Sequence, residues 1–579
     1  MSNTKETYKG IAAAPGFARG PLFLFQESNM TLPEPYQCKD PEIAWERVLS
    51  AIEDSKKEIR SMRARVLQEA GKEQAAIFDA HEMMVDDAAL HEMTQASIQE
   101  GINPEKAWFE SVEVFADMLA DLPDPLLSAR AADVRDVGRR VLAHLLGIQA
   151  PANVLMTPSI VIARDLAPSQ TALMDHSMVL AFCTAEGGPT SHTAILAKAL
   201  RIPAVVGLGD AILEIQVGDL TLVDADSGRV TVNPDAEDQA AFLKLSQVAA
   251  GQRFADLSTA FEPAVTFDGK QVEVVANIGG LADARQSIEM GAEGVGLFRT
   301  EFVYLNRKSL PTVDEQVKIY RQIFDTMIGK PVVVRTVDIG GDKQIDYLGI
   351  NQEPNPFLGW RGIRMISEKP EILSDQLLAL MLAARDDVDL RIMLPMVSQV
   401  EEVLQARVLL DEAYAKLRQQ YPDCTRTYQF GMMVEVPSAA LTVEHFAPYV
   451  DFYSIGTNDL TQYTLAADRM NARVANLASP FHPAVLSLIE RTVRIAHEHG
   501  KWVGMCGELA GEPLAVPFLL GIGLDEFSMS AAAVPAIKRI IRKLNSVDCQ
   551  PVARNTLTCH SADAVREYLQ SELNRLIAV

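Results

Sequence analysis

The sequence predicts an α/β multidomain chain: an N-terminal α/β domain with an inserted helical bundle, followed by a C-terminal (β/α)8 barrel. Three patterns predict it. Short apolar runs between turns occur at 8–25 and again at 151–233, and a long block with helical spacing separates them. Beyond residue 261, eight strand-like runs alternate with helical segments. A chain of 579 residues has room for about three or four domains with large buried cores.

Residues 8–11 and 20–25 read as short β segments about a Pro15-Gly16 turn. From about 41 to 147 prolines become few, and 44–70 and 134–146 carry apolar residues at three- and four-residue spacing, which predicts a bundle. Short apolar runs return at 159–163, 178–181, 204–206 and 220–223, and Asn233-Pro234 closes the compact domain they form. The polar helical stretch from Ala236 to about Phe261 reads as a linker. The expected divisions are 1–30 with 148–233 for the α/β domain, 31–147 for the helical subdomain, 234–261 for the linker and 262–579 for the barrel. The barrel strands are expected at 272–278, 294–302, 331–338, 391–397, 430–437, 452–459, 502–508 and 526–530. Continuous apolar runs of this kind suit parallel strands covered on both faces.

Composition excludes several classes. At 48% hydrophobic and 22% charged the chain is an ordinary globular one, and no apolar run approaches the ~18 residues of a membrane span. The N-terminus lacks the basic and apolar regions of a signal peptide, so the cytoplasm is expected. Six scattered cysteines without a CxxC pair argue against a disulfide framework or structural zinc. A formal charge of −24 with no basic run argues against nucleic acid and anionic membranes. A basic protein partner fits that charge, and solubility alone accounts for it equally well.

Chemistry is concentrated in two places. In Gly187-Gly188-Pro189-Thr190-Ser191-His192, two glycines open the backbone and Thr190 or Ser191 can cap the helix that follows. An imidazole in a first helical turn lies beside free N–H groups that favour an anion, which suggests a phosphoryl acceptor; an ordinary helix start explains the pattern as well. The second place is the set of barrel strand ends. Arg299, Arg335 and Arg469 offer planar forks to phosphate or carboxylate. Glu435 and Asp459 are hard oxygen ligands suited to Mg²⁺, and Asn458 is a neutral donor beside them. Any one of these charges alone reads as an inter-strand salt bridge, but together they favour a phosphorylated, carboxylated small acid with Mg²⁺. Cys506, between glycines at 504 and 507, is either a core residue or a proton donor. Lys343 and Arg361, on glycine-containing loops, can screen substrate charge or serve only in turns.

Over essentially its whole length the chain resembles enzyme I of the bacterial phosphoenolpyruvate-dependent phosphotransferase system. The resemblance rests on 187–193, 291–301, 338–343, 355–361, 454–463 and 504–511, in that order. It implies that His192 is phosphorylated through Nε2, with Thr171 hydrogen-bonded to it. It implies that Arg299, Arg335 and Arg469, helped by Asn458, hold phosphoenolpyruvate, that Glu435 and Asp459 bind Mg²⁺, and that Cys506 protonates the enolate carbon to give pyruvate. The phosphoryl group would pass to a small histidine-containing phosphocarrier, the first step of sugar uptake by that system. The helical block would dock this carrier; its acidic and apolar segment 79–87 suits a basic surface, and a solvated helix face explains it as well. A swivelling histidine domain and a homodimer through the barrel are further implications. Pro189 stands where the sugar-branch enzymes carry arginine, which leaves the branch and the carrier open. A dikinase relative would need a preceding nucleotide domain that ~150 residues without a Gly-rich Lys loop do not supply. A non-catalytic regulatory homologue is disfavoured by the intact His192, Glu435, Asp459 and Cys506.

Overall fold

The computed structural model describes every residue except 1–4, 26–31, 35, 70–71, 121–124, 149–154, 156, 167–169, 172–173, 189–190, 201, 216–217, 306, 308, 341–346, 348–352, 354, 385–387, 423–427, 470, 472–473 and 579. The side chains of helical residues 65, 67–69, 72–76, 125–129, 192, 195, 199 and 476 also lie outside the description. The chain forms two compact units, Met1–Ala249 and Ala250–Val579.

The first unit holds a mixed sheet of β1 (Glu6–Lys9), β2 (Ile11–Ala14), β3 (Phe17–Leu24), β4 (Ser159–Ala163), β5 (Val179–Thr184), β6 (Ala204–Val206), β7 (Leu220–Asp224) and β8 (Arg229–Val232). Its order is β1-β8-β7-β3-β4-β5-β6-β2, with β3 to β6 parallel. Only Gly10 separates β1 from β2, yet they lie at opposite edges, so the sheet rolls until its edges meet there. A side chain at Gly10 would strike the Val206 carbonyl at 2.6 Å. Strand β4 is buried throughout: Ile160 and Ile162 enter one core while Val161 and Ala163 enter the other.

Between β3 and β4 lies the bundle: α1 (Pro41–Glu69), α2 (Lys72–Val85), α3 (Ala88–Gln99), α4 (Pro104–Ala120) and α5 (Pro125–Leu146), with a core of its own. Trp108 of α4 is fully buried and donates through Nε1 to the Gly138 carbonyl of α5 at 2.9 Å. A Cβ at Gly138 would sit 2.4 Å from a Val112 methyl, so glycine sets how closely α4 and α5 pack. The helix Ala236–Ser258 follows β8.

The second unit is a closed barrel of eight parallel strands, β9 (Glu273–Ile278), β10 (Val295–Arg299), β11 (Pro331–Arg335), β12 (Asp389–Leu394), β13 (Tyr428–Val434), β14 (Phe452–Ile455), β15 (Trp502–Met505) and β16 (Glu526–Met529). Alternation assigns the faces: Val332 and Val334 join the layer under the helices, while Val333, Met393, Met433 and Cys506 cluster separately, away from that layer. At the N-terminal strand ends Trp502 stacks on Phe452 at 4.5 Å, and the Arg391 guanidinium lies 4.8 Å from the Trp502 ring centroid. All eight expected runs are strands, but several stop early. The sixth ends at Ile455, because Gly456 turns the chain and Thr457–Leu465 is a helix, which puts Asn458 and Asp459 in its first turn. Among the described residues, no helix is long and apolar enough to cross a membrane.

Candidate active site

The histidine loop grows out of β5. Gly187 has φ +92°, a left-handed conformation that glycine adopts without strain, and it turns the chain toward the helix His192–Leu200. Ser191 donates its N–H to the Gly188 carbonyl (2.9 Å), and its Oγ accepts from Ala194 N (3.3 Å), so Ser191 is the residue that caps the helix. Buried Thr193 reaches Asp165 Oδ1 and the Leu166 carbonyl, both at 3.4 Å. His192 is thus the first residue of a tethered helix; its imidazole, with Pro189 and Thr190, lies outside the described residues. Thr171 is buried, and its carbonyl accepts from Met174 N at 3.2 Å and lies 3.0 Å from His176 Nε2.

At the C-terminal mouth of the barrel the strand ends converge on one charged network. Arg335, the last residue of β11, is buried; it bonds Glu301 closely and lies 3.2 Å from Asp338. Burial opposes its charge, but Glu301 and Asp338 hold it protonated well above its ordinary pKa. Arg361 grips Asp338 through two 2.9 Å bonds and reaches both Asp459 oxygens at 3.1 and 3.3 Å. Its pKa is likewise raised: burial is overcome by Asp338 and Asp459. Arg469, partly exposed, lies 3.6 Å from Asp459. Arg299, paired in register with Arg335, is exposed, and among the described residues it has no ion pair or hydrogen bond. Lys343 lies outside the described residues.

Glu435 occupies the centre. Its side chain is fully buried, and Oε1 accepts from Met396 N at 2.6 Å. Met396 has φ +58°, an unusual value for a residue with a side chain, and this backbone turns its N–H onto the carboxylate. Oε2 has no hydrogen-bond partner. Burial, then the neighbouring Asp459 and Asp338 charges, push the Glu435 pKa up to about 7 against the pull of Arg361 and Arg335. Nε of Arg335 is also buried without a partner. Asn458 accepts from Glu508 N at 3.1 Å, which occupies its Oδ1 and leaves its NH₂ to donate. Cys506 follows β15 and is 4% exposed; burial chiefly pushes its thiol up to about 11.

The structure therefore brings Arg335, Arg361, Glu435, Asp459 and Arg469 into one network. Asp338 and Glu301, visible in the sequence as charged strand ends within the 338–343 and 291–301 runs but given no role there, are its hubs. Met396 carried no sequence signal, and Tyr463, whose hydroxyl lies 3.3 Å from Arg361, was visible only as the last residue of the 454–463 run. In the bundle, the acidic segment is not a free charged face: Asp79, Glu82 and Asp86 pair with Arg63, Arg60 and Lys56 of α1, while Met83 stays exposed.

Three family models divide the chain: "PEP-utilising enzyme, N-terminal" over 9–130, "mobile domain" over 155–228 and "PEP-binding domain" over 255–546. Proteins named phosphoenolpyruvate-protein phosphotransferase align almost end to end. That of Priestia megaterium is 43% identical over 98% of this chain and 99% of its own. Those of Geobacillus stearothermophilus and Bacillus subtilis are 42% and 41% identical over 98% and 97% of this chain, covering 98% and 99% of their own. The chain belongs to the phosphoenolpyruvate-protein phosphotransferase family. The family's mobile domain contains His192, and the PEP-binding domain contains every residue of the barrel network.

Proposed function

We propose that this chain, a phosphoenolpyruvate-protein phosphotransferase, takes the phosphoryl group of phosphoenolpyruvate onto His192 and hands it to the histidine of a small phosphocarrier protein, opening sugar uptake by the phosphotransferase system. Nε2 of His192 attacks phosphorus, the phosphorus–oxygen bond to the enol breaks, and the enolate leaves. Among the described residues, Arg299, the free Nε of Arg335, Arg469 and the NH₂ of Asn458 are donors with spare capacity, suited to the phosphate and carboxylate. Cys506 Sγ gives its proton to the enolate carbon, forming pyruvate, and regains one from solvent. A thiol raised to about 11 stays protonated at neutral pH, as a proton donor must. Thr171 steadies the imidazole, and Lys343 and Arg361 balance charge around the substrate.

The donor set fits Mg²⁺. Glu435 Oε2 is a buried carboxylate oxygen without a partner, and Asp459 is the second hard ligand beside it. Glu435 and Asp459 would hold the ion, with its remaining positions open to substrate oxygens and water. When bound, Mg²⁺ neutralises charge on the phosphate and enolate oxygens.

His192 must meet the barrel mouth in one step and the carrier in the next. We assign that movement to 234–261, carrier docking to the helical bundle, dimerisation to the barrel and the site of action to the cytoplasm. The observation that carries this reading is the partnerless pair of Arg335 Nε and Glu435 Oε2 in one buried mouth: one cationic donor and one anionic acceptor awaiting an anion and a cation. Incubation with labelled phosphoenolpyruvate and Mg²⁺ tests it. Acid-labile label is expected on the protein and none on His192→Ala; a labelled variant refutes the assignment.

A further inference from the structure

We infer that Gln376, on the helix Pro370–Ala383 outside the barrel, is a positioning residue for the phosphoenolpyruvate site. Among the described residues it makes no hydrogen bond to the charged groups. Its side chain is completely buried, and its amide is shared between the loops that follow β10 and β11. Nε2 donates to Thr300 Oγ1 (2.9 Å) and to the Tyr320 hydroxyl (3.1 Å), and Oε1 accepts from Val337 N (2.8 Å). Thr300 lies between Arg299 and Glu301, and its hydroxyl donates to the Arg335 carbonyl at 2.9 Å. Val337 immediately precedes Asp338.

The amide can lie only one way round. Turned over, its NH₂ would face the Val337 N–H, donor against donor. The Tyr320 hydroxyl passes its proton on to Gln316 Oε1 at 3.1 Å, so it is free to accept from Gln376. The amide also stands where the sheet can no longer serve. Register pairing of β10 with β11 ends at Arg299 and Arg335, and the Thr336 N–H still reaches the Met393 carbonyl, but the Val337 N–H lies beyond the ladder. Gln376 takes over there. It ties the loop bearing Arg299 and Glu301 to the loop bearing Arg335 and Asp338, and so sets the spacing of the groups around the anion.

This inference rests on reading the barrel mouth as the phosphoenolpyruvate site. Gln376→Met keeps the length but removes all three bonds. Thr300→Val removes only the bonds at Oγ1 and is the milder second variant. Both should raise KM for phosphoenolpyruvate, Gln376→Met by about tenfold or more, since misplacement by about 1 Å from remote changes is costly. Leu377→Ala, a fully buried packing deletion on the same helix, should lower the thermal midpoint and leave KM unchanged. If Arg335→Ala raises KM while Gln376→Met and Thr300→Val do not, the inference is wrong and the site reading stands. Equal KM increases in Leu377→Ala and Gln376→Met at matched loss of stability overturn it as well. If even Arg335→Ala leaves KM unchanged, the site reading fails and takes the inference with it.

Discussion

Asp338→Asn tests the charged network at its hub. The Asp338 side chain is fully buried and accepts two 2.9 Å bonds from Arg361 and lies 3.2 Å from Arg335, so two buried guanidinium groups share its charge. Asparagine keeps the shape but supplies one acceptor oxygen and no charge. Breaking a buried ion pair costs about 3–5 kcal/mol, because the survivor is left uncompensated. Here Glu301 still pairs with Arg335 and Asp459 with Arg361, which places the expected cost near the lower end, about 3 kcal/mol. In a unit of this size that lowers the barrel's thermal midpoint by about 4 °C. Calorimetry of the full chain should show the barrel transition falling while that of the first unit stays in place. Steady-state kinetics should show KM for phosphoenolpyruvate rising as Arg335 and Arg361 turn toward other partners. An unchanged barrel midpoint with unchanged KM would refute the claim that Asp338 organises the mouth.

Arg299 and Arg335 should separate binding from stability. Arg299→Ala removes an exposed cation that has no side-chain partner among the described residues and should raise KM without moving the midpoint, whereas Arg335→Ala takes a buried cation away from Glu301 and Asp338 and should change both. Equal stability losses would contradict the geometry. Cys506→Ala should slow pyruvate formation and proton delivery to C3, measured by solvent deuterium in the product methyl group. Because burial raises the thiol to about 11, the proton donor is present below that pH and is lost above it. Alkylation with a midpoint near the ordinary 8.5 would count against this environment. Gly138→Ala drives a methyl into Val112 and should destabilise the bundle by about 1–3 kcal/mol while leaving the barrel transition unmoved.

Most of the architecture was legible because it rests on local pattern. Parallel barrel strands are covered on both faces, so they read as unbroken apolar runs even where Val332, Val333 and Val334 point alternately in opposite directions. The run ends were less legible. The sequence around 452–459 stays compatible with a strand until Gly456 turns it, and only the fold shows that Asp459 sits on a helix. The rolled sheet was invisible, since the opposite-edge pairings of β1 and β2 are made with residues about 200 positions away. The site residues were found by charge at strand ends, but their roles were not. Whether an arginine is buried and paired, as Arg335 is, or exposed, as Arg299 is, depends on neighbours contributed by other strands. For the same reason, the acids of 79–87 read as a free surface until α1 supplied their partners.

The central claim is that His192 carries the phosphoryl group from the barrel to the carrier. The most direct measurement is a single turnover with phosphoenolpyruvate and Mg²⁺, quenched at alkaline pH and mapped by peptide mass spectrometry alongside a pyruvate assay. The account predicts one phosphoryl group per chain, on the peptide containing His192, matched by one pyruvate and lost when a purified phosphocarrier is added. Phosphate on another residue, or pyruvate released without a phosphorylated His192, would contradict it.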